Sequence, residues 1–392
     1  MPGYELIGNE EFQSVKSVFD NGGILFRHGF ETMRNNKYFV KEFETAFAHK
    51  LNSKYALAVS SGTAALRVAL ASLDIGENDE VITQSFTFVA TVEAIIESRA
   101  TPICCEVDDT LNMDPEDLKN KITPRTKAII VVHMLGNPAR LNAILKVAKD
   151  HNLYVIEDTA WGCGGSQNGI KLGTFGDIGT FSFDFAKTIT CGEGGMLVFK
   201  DEVLASKAAA WHDHGHENNP KFPRWEDTRS SSGFNYRMTE LQGAVGLAQL
   251  SKLDAIITSQ RQNYKKIESE ISKLPLKIRT SVDGSEGTAD ALIFYVKDRN
   301  EAKRCRESLI NNGFGTKILP EAYSWHFAGS WDHMPELKVA HGNNLNTAFP
   351  NSANLLAKSV SIPINVKMKS DTPEKIRLAL ESVFTTPENC HR

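Results

Sequence analysis

The sequence has little of several features that mark other classes of protein. Lys and Arg number 44 against 48 Asp and Glu, a net charge of −4, so no overall positive field attracts nucleic acid or anionic lipid. No run of about 18 apolar residues could span a bilayer. The amino end, MPGYELIGNEEFQ, is polar and acidic, unlike a signal peptide. We therefore expect a cytoplasmic protein that binds neither nucleic acid nor membrane.

Cysteine is scarce and follows no known pattern. The six residues form no CxxC pair and no disulfide-like density, so we expect free and mostly buried thiols. Cys191 lies near Lys187 and could act as a nucleophile, but a small buried residue that fills space is the favoured interpretation. The cysteines are Cys104, Cys105, Cys163, Cys191, Cys305 and Cys390.

Short apolar runs alternate with helical patterns from about residue 39. In YFVKEFETAFAHKL, the residues Phe39, Phe43 and Phe47 share one helical face. Strand-like runs follow in KYALAVSSG, DEVITQS, TPICCEV, KAIIVVHML and LYVIED. Such strands separated by helices predict an α/β fold with a mainly parallel sheet covered on both faces, and a ligand beyond the carboxyl ends of the strands.

The length of 392 residues fits one large and one smaller domain. A long helical pattern follows residue 238, and LIFYVKDRNEAKRCRESLINNGF beyond it has the strand-then-helix pattern of a small α+β domain. We place the large domain at residues 1–250 and the small domain at residues 251–392.

The stretch VSSGTAALRVAL is a strand that leads into a helix through Ser60, Ser61, Gly62 and Thr63. The first N–H groups of a helix lack partners and point towards one spot, which suits a phosphate. Simple capping of the helix by Ser or Thr explains the same residues. This motif alone favours the capping interpretation.

Two further stretches could bring an acid and an amine to that spot. LYVIEDTAWG ends a buried strand in Glu157 and Asp158, where a carboxylate could hold a protonated ring nitrogen, a metal or a structural partner. TFSFDFAKTITCGEGG alternates Phe181, Phe183 and Phe185 with small or polar residues before Lys187. A lysine in a partly apolar site is more readily neutral and nucleophilic, although most lysines at loop mouths are solvated charges.

Polar loops precede the long helix. Asn235, Tyr236 and Arg237 could donate to a phosphate or carboxylate, or could form a turn that Thr239 caps. Alternate positions in WHDHGHENN carry histidines, at 212, 214 and 216, which point the same way if the segment is extended. A polar active-site loop is favoured there over zinc, because no fourth ligand lies at a telling distance.

Taken in order, these pieces resemble the DegT/DnrJ/EryC1/StrS family of sugar aminotransferases. The resemblance covers about residues 40–255 and continues more weakly beyond. It implies a fold-type I enzyme with a seven-stranded sheet, pyridoxal 5′-phosphate as cofactor and a homodimer with shared active sites. The matching motifs are ALAVSSGTAALRVAL, TFVATVEAI, VVHMLGNPARLNAI, VIEDTAWGCG, GDIGTFSFDFAKTITCGEGGML and GFNYRMTELQGAVGLAQLSKLD.

The resemblance also implies a role for each matching residue. Lys187 would bond covalently to the cofactor and then carry the proton, and Asp158 would pair with the pyridine nitrogen. Phe88 would stack on the cofactor ring. The phosphate would be held by Gly62, Thr63, Ser182 and, from the second subunit, Asn235.

The sequence departs from the family pattern in three places. Trp161 stands where Gln or His is usual, so the contact to the cofactor's phenolic oxygen would change, since an indole N–H can only donate. The stretch GGILFRHGFETMRNNKYFV resembles an insertion, and the loop HDHGHENNPKFPRWEDTRSSSG is long and rich in cations. We hypothesise that Arg27, His28 or the histidine loop pairs with an acidic sugar; ordering of a loop or dimer contact is an equal alternative.

The predicted reaction moves an amino group from glutamate to a keto sugar. Within the family, the chain resembles the branch that aminates 8-oxo-3-deoxy-octulosonate for lipopolysaccharide; a nucleotide-linked 3- or 4-keto-6-deoxy sugar is the alternative acceptor. A sugar dehydratase of this scaffold would have histidine in place of Lys187, and a non-catalytic relative would lack the cofactor contacts. A nicotinamide enzyme would show GxGxxG after the first strand, which is absent.

Overall fold

The computed structural model describes residues 2–219, 221–321 and 323–385, so Cys390 lies outside the described residues. The α-helices are α1 (Pro2–Glu5), α2 (Asn9–Asp20), α3 (Phe39–Leu51), α4 (Gly62–Ser72), α5 (Val89–Glu97), α6 (Pro115–Lys121), α7 (Leu141–Asp150), α8 (Glu202–Trp211), α9 (Glu240–Ile271), α10 (Arg299–Asn311), α11 (Pro335–His341), α12 (Pro350–Ala357) and α13 (Thr372–Thr385). The strands are β1 (Tyr55–Val59), β2 (Glu80–Gln84), β3 (Thr101–Cys105), β4 (Thr126–Val132), β5 (Tyr154–Asp158), β6 (Ser166–Gln167), β7 (Ile170–Lys171), β8 (Ile178–Ser182), β9 (Gly195–Phe199), β10 (Lys277–Ile278), β11 (Ser285–Glu286), β12 (Ala291–Tyr295) and β13 (Ser359–Pro363).

A seven-stranded sheet forms the centre of the molecule, in the order β1-β9-β8-β5-β4-β2-β3. Within it β9 runs antiparallel to β1 and β8, and the other pairs are parallel. Separate apolar clusters cover the two faces, one built around α4 and the other around α3 and the first half of α9. The predicted mainly parallel α/β sheet is confirmed. Its parallel strands end at one edge, so the loops that follow them meet there.

Aromatic residues fix the sheet against α3. Phe43 and Phe47 are fully buried, and the Phe47 ring centroid lies 4.9 Å from that of Phe181 and 5.5 Å from that of Phe183. The predicted alternation does not extend to Phe185, which is 54% exposed. The reason is that β8 ends at residue 182, after which the chain turns and no longer alternates faces.

The long helix predicted after residue 238 is α9, whose last turns pack with a second, smaller layer. That layer contains the antiparallel sheet β10-β12-β13 and the helices α10 and α13, which share an apolar cluster with α9. The predicted boundary at residue 250 lies inside α9, so one continuous helix would join the two predicted domains; the division itself stays a prediction. Among the described residues no helix is both long and apolar enough to cross a membrane.

The five cysteines in the described part of the chain are buried and free. The Cys191 thiol donates to the carbonyl of Glu193 at 3.2 Å. Burial raises the pKa of Cys191 to about 12, so the thiolate needed for nucleophilic attack is disfavoured. The space-filling interpretation of Cys191 is the one that fits.

Candidate active site

A cleft of about 540 Å³ opens at the carboxyl edge of the large sheet. Five chain segments that leave strands β1, β2, β4, β5 and β8 line it, and Trp325 and His326 close it from the segment before α11. Of the residues predicted for the cofactor, all but one line this cleft: Gly62, Thr63, Phe88, Asp158, Trp161, Ser182 and Lys187. Asn235 is the exception.

The start of α4 forms a cup on one side of the cleft. Ser61 caps the helix, its hydroxyl accepting from the Ala64 N–H at 3.0 Å, so the capping alternative is correct for that residue. Gly62 and Thr63 line the cleft, and their N–H groups, in the first turn of α4, have no acceptor within the helix. A Cβ on Gly62 would lie 2.7 Å from the Cβ of Ser182, so only glycine lets the helix start approach that strand end.

Asp158 lies at the floor of the cleft and is 6% exposed. Its Oδ2 accepts from the Thr91 hydroxyl at 2.9 Å and its Oδ1 accepts from the Ala160 N–H at 3.2 Å. Burial raises the pKa of Asp158 although these hydrogen bonds act to lower it. A cationic group in the cleft would favour the carboxylate again, so the site is suited to a protonated ring nitrogen.

Glu157, the other acid at the end of β5, faces away from the cleft. Its Oε2 accepts from His133 Nε2 at 3.1 Å, and its carboxylate also accepts the N–H groups of Gly173, Phe175 and Gly176. Burial would raise the pKa of Glu157, but these donors hold it below its ordinary value. Glu157 therefore anchors the strand that positions Asp158.

Lys187 enters the cleft after β8 and is 9% exposed. Its Nζ lies 3.5 Å from the ring centroid of Trp161, and it makes no hydrogen bond or ion pair with the described residues. Burial lowers the pKa of Lys187 to about 8, the charge of Asp158 opposing this and the charge of Lys317 adding to it. An ordinary lysine is almost entirely protonated near physiological pH, whereas the lowered pKa leaves a substantial minority of the Lys187 amine neutral and nucleophilic.

Trp325 and His326, which the sequence did not single out, complete the cleft beside Phe88. Phe88 is 41% exposed, and its ring centroid lies 5.5 Å from that of His326. The Thr87 N–H donates to the carbonyl of His326 at 2.9 Å, which ties the two sides of the cleft together. The aromatic run AYSWHFAG was the available signal for Trp325 and His326.

Asn235 is exposed on the loop before α9 and does not line the cleft of its own chain. Its Oδ1 accepts from the Arg237 N–H at 3.3 Å, and the neighbouring Tyr236 carbonyl accepts from the Ser60 N–H at 2.8 Å. The loop thus lies beside the cup with its amide directed to the outside. The predicted reach of Asn235 into a second subunit stays a prediction.

The cation-rich insertion and the histidine loop contact each other rather than the cleft. Asp213 is fully buried and pairs with His28 at 3.2 Å, with Arg224 at 2.5 Å and with Arg237. Burial alone would raise the pKa of Asp213, but these partners hold it well below its usual range. Arg27 pairs with Glu44 at 2.8 Å. In one chain these cations therefore order a loop, as the structural alternative proposed.

The three histidines of that loop do not converge. The chain turns at His214, whose φ of 56° is left-handed and whose side chain is exposed, whereas His212 and His216 are buried. The expectation that they point the same way is wrong, because the segment is not extended. Within the described ranges no group of three or more His, Cys, Asp or Glu side chains is placed to hold a metal ion.

Comparison with solved structures defines the class of protein. The fold matches an aminotransferase from Psychrobacter cryohalolentis with a TM-score of 0.84 and 30% identity, over 98% of each chain. A 3-amino-5-hydroxybenzoic acid synthase has the same fold at 23% identity and a TM-score of 0.84. The architecture is that of the fold-type I aminotransferases that use pyridoxal 5′-phosphate.

The family follows from the sequence. The chain belongs to the DegT/DnrJ/EryC1/StrS aminotransferase family, whose sequence model matches residues 8–381. It is 33% identical over 389 residues to a GDP-perosamine synthase from Vibrio cholerae, covering 98% of this chain and 99% of that protein. It is 36% identical over 307 residues to a GDP-perosamine synthase from Caulobacter vibrioides, covering 77% of this chain and 81% of that protein. The protein is thus a sugar aminotransferase that depends on pyridoxal 5′-phosphate.

The cleft has the parts that this cofactor requires. The start of α4 offers N–H groups for a phosphate, Asp158 offers a buried carboxylate, and Phe88 offers an aromatic face. Lys187 offers an amine that has no hydrogen-bond or ion-pair partner among the described residues and lines the same cleft. When bound, pyridoxal 5′-phosphate supplies a ring that accepts the electrons released when a substrate C–H bond ionises.

Proposed function

We propose that this aminotransferase transfers the amino group of glutamate to the carbonyl carbon of an anionic keto sugar. The observation that carries the proposal is the placement of Lys187, unpaired and 9% exposed, between the anion cup at Gly62 and the buried Asp158. In the proposed reaction Lys187 Nζ takes the proton from the α-carbon of glutamate and later delivers a proton to the former carbonyl carbon of the sugar. Asp158 would hold the cofactor ring protonated, and the cup would hold its phosphate.

A nucleotide-linked keto-6-deoxy sugar is the acceptor that the relatives favour. Two of them, from Vibrio cholerae and Caulobacter vibrioides, are GDP-perosamine synthases and match 98% and 77% of this chain. A nucleotide diphosphate is anionic, so cations near the cleft mouth would contribute to its affinity.

An acidic octulosonate, in a pathway to lipopolysaccharide, is the second candidate. The observation that favours it is that the two unusual segments meet, through His28 and Asp213 at 3.2 Å, at one surface near Asn235 that carries Arg224 and Arg237. If Asn235 reaches the cleft of a second subunit, this surface would be brought to the same cleft and could contact a carboxylate.

The two acceptors can be separated by one assay. Purified enzyme with glutamate would be offered a GDP-linked 4-keto-6-deoxy sugar and 8-oxo-3-deoxy-octulosonate separately, with formation of 2-oxoglutarate as the readout. A kcat/KM at least tenfold higher for the nucleotide-linked sugar supports the first candidate, and the reverse ratio supports the second. If neither sugar accepts the amino group of glutamate, the proposal of an anionic keto sugar as acceptor is contradicted.

We further propose a homodimer with shared active sites, acting in the cytoplasm. Large apolar side chains are exposed around Asn235, including Phe234 at 54%, Trp225 at 85% and Phe222 at 47%. Their burial in an interface would be favourable. Mixing inactive Lys187→Ala and Asn235→Ala chains should then restore activity, to about a quarter of wild type if subunits exchange at random. No recovery after verified exchange would contradict shared sites.

A further inference from the structure

Lys187 has a second lysine close by, on a distant part of the chain. The Nζ of Lys317 lies 4.6 Å from the ring centroid of Trp161, the ring that Lys187 approaches to 3.5 Å. The two nitrogens are therefore separated by no more than the sum of these distances. Like charges this close, in a largely buried site, oppose each other's protonation.

The position of Lys317 is fixed on both its side chain and its backbone. Its Nζ lies 2.7 Å from each carboxylate oxygen of Asp290, with side-chain exposures of only 12% and 2%. Its N–H donates to the carbonyl of Ser361 at 2.9 Å, and the Ser361 hydroxyl donates back to the Lys317 carbonyl. The charge of Lys317 is thus held in place, whereas Lys187 has no such partner among the described residues.

The same part of the chain holds Trp161 in position. The hydroxyl of Thr288 donates to the Trp161 carbonyl at 3.1 Å, two residues before Asp290. Trp161 therefore contacts two lysine amines, of which Lys317 has a carboxylate partner and Lys187 has none among the described residues.

We propose that Lys317 is a positioning residue for transamination: its charge, held by Asp290 near the Trp161 ring, opposes protonation of the Lys187 amine and so increases the fraction of that amine able to accept a proton. The arrangement rests on the proposed role of Lys187. The charge of Lys317 lowers the pKa of Lys187, and the charge of Asp290 raises it by a smaller amount, so the pair as a whole lowers it. The other charged or titratable groups that face Lys187 or line its cleft are Asp158, Asp184, Glu193 and His326.

The proposal predicts opposite effects for the two members of one ion pair. Lys317→Met removes the repelling charge and leaves a carboxylate, so the pKa of Lys187 should rise by about one unit. Asp290→Asn leaves the cation unbalanced, so the pKa of Lys187 should fall. Lys317→Arg keeps the charge and should behave as wild type. The double variant Lys317→Met/Asp290→Asn leaves no unpaired charge and should give a smaller rise than Lys317→Met.

The measurement is the rate at which Lys187 reacts with acetic anhydride between pH 6 and 10. It is made on enzyme loaded with pyridoxamine phosphate, which has no aldehyde and leaves Lys187 free, and the Lys187 peptide is quantified by mass spectrometry. Only the neutral amine reacts, so near pH 8 labelling should slow several-fold in Lys317→Met and quicken in Asp290→Asn. The exposed Lys146→Met is the matched control and should match wild type.

A merely structural ion pair would give a different result. Both single variants would then lower the melting temperature without shifting the labelling profile, or would shift it in the same direction, and either outcome overturns the proposal. Labelling needs no sugar and no turnover, so a wrong acceptor would leave this result intact. If the proposal fails while the acceptor assay succeeds, Lys317 has no electrostatic role in a working aminotransferase.

Discussion

Lys187 and Asp213 are both buried charged groups, and their surroundings have opposite effects. Asp213 is surrounded by His28, Arg224 and Arg237, which stabilise its charge and hold its pKa well below its usual range. Lys187 has no ion-pair partner among the described residues, and burial lowers its pKa to about 8. A charge that the fold stabilises serves structure, whereas a charge that the fold destabilises is available for chemistry.

The largest expected effect is a loss of kcat when Lys187 is replaced. Lys187→Ala should lower kcat by roughly 10⁴-fold, because the amine that would move the proton is lost. Steady-state release of 2-oxoglutarate measures it, and circular dichroism should show an unchanged fold. Lys146→Ala, at an exposed lysine, should retain full activity. Sustained turnover by Lys187→Ala would contradict the catalytic role proposed for Lys187.

Loss of the Asp213 carboxylate should instead make the folded protein less stable. Asp213→Asn leaves Arg224 and Arg237 without their shared carboxylate and should lower the free energy of unfolding by about 3–5 kcal/mol. Urea denaturation at pH 7 measures the change, and Asp20→Asn, in an exposed pair with Lys16, is the control that should have little effect. An unaltered urea midpoint for Asp213→Asn would mean that the cluster does not order the loop.

The same comparison predicts a pH dependence for Asp213. Because its folded pKa is below the unfolded value of 3.8, its contribution is fully present above that value and is lost as pH falls further. The stability difference between wild type and Asp213→Asn should therefore shrink below about pH 4. Urea titrations from pH 3 to 7 test this; a difference that grows on acidification would reverse the assigned sign.

Removing the buried amine of Lys187 should stabilise the fold, whereas removing the carboxylate of Asp213 should destabilise it. In cofactor-free protein, Lys187→Met should raise the free energy of unfolding by about 2–3 kcal/mol at pH 7, since the protonated amine is disfavoured when buried. The gain should be complete below the folded pKa of about 8 and vanish as pH rises to the ordinary value of 10.5. Urea denaturation at pH 7 and pH 10 tests both points. Destabilisation of Lys187→Met at pH 7 would show that the fold favours this charge.

The smallest expected effect concerns the cup beside Lys187. Gly62→Ala places a Cβ 2.7 Å from the Cβ of Ser182, so the start of α4 must shift and the affinity for pyridoxal 5′-phosphate should fall about tenfold or more. Equilibrium titration by absorbance measures it. Gly315→Ala, where a Cβ meets open space, is the control. Unchanged affinity would mean that the cup does not depend on this close approach.

The cleft could be predicted from the sequence because its parts follow the ends of parallel strands. Gly62, Asp158 and Lys187 lie at or within a few residues of the end of a buried strand, and the fold brings such positions to one edge. Lys317 and Asp290 carry no such signal, since they lie in irregular segments more than a hundred residues after Lys187, Asp290 just before β12 and Lys317 after α10. The shape of the histidine loop could not be predicted, because alternate histidines share a direction only in an extended segment and the left-handed His214 makes a turn.

Borohydride reduction of the native enzyme tests the central claim most directly. Reduction should fix pyridoxal 5′-phosphate to one peptide, and mass spectrometry should find the added mass on Lys187. A Lys317→Met sample checks that the neighbouring amine is not the one modified. Modification at Lys187 in both samples is the predicted result; modification of any other lysine, or none in enzyme with bound cofactor, would contradict the account.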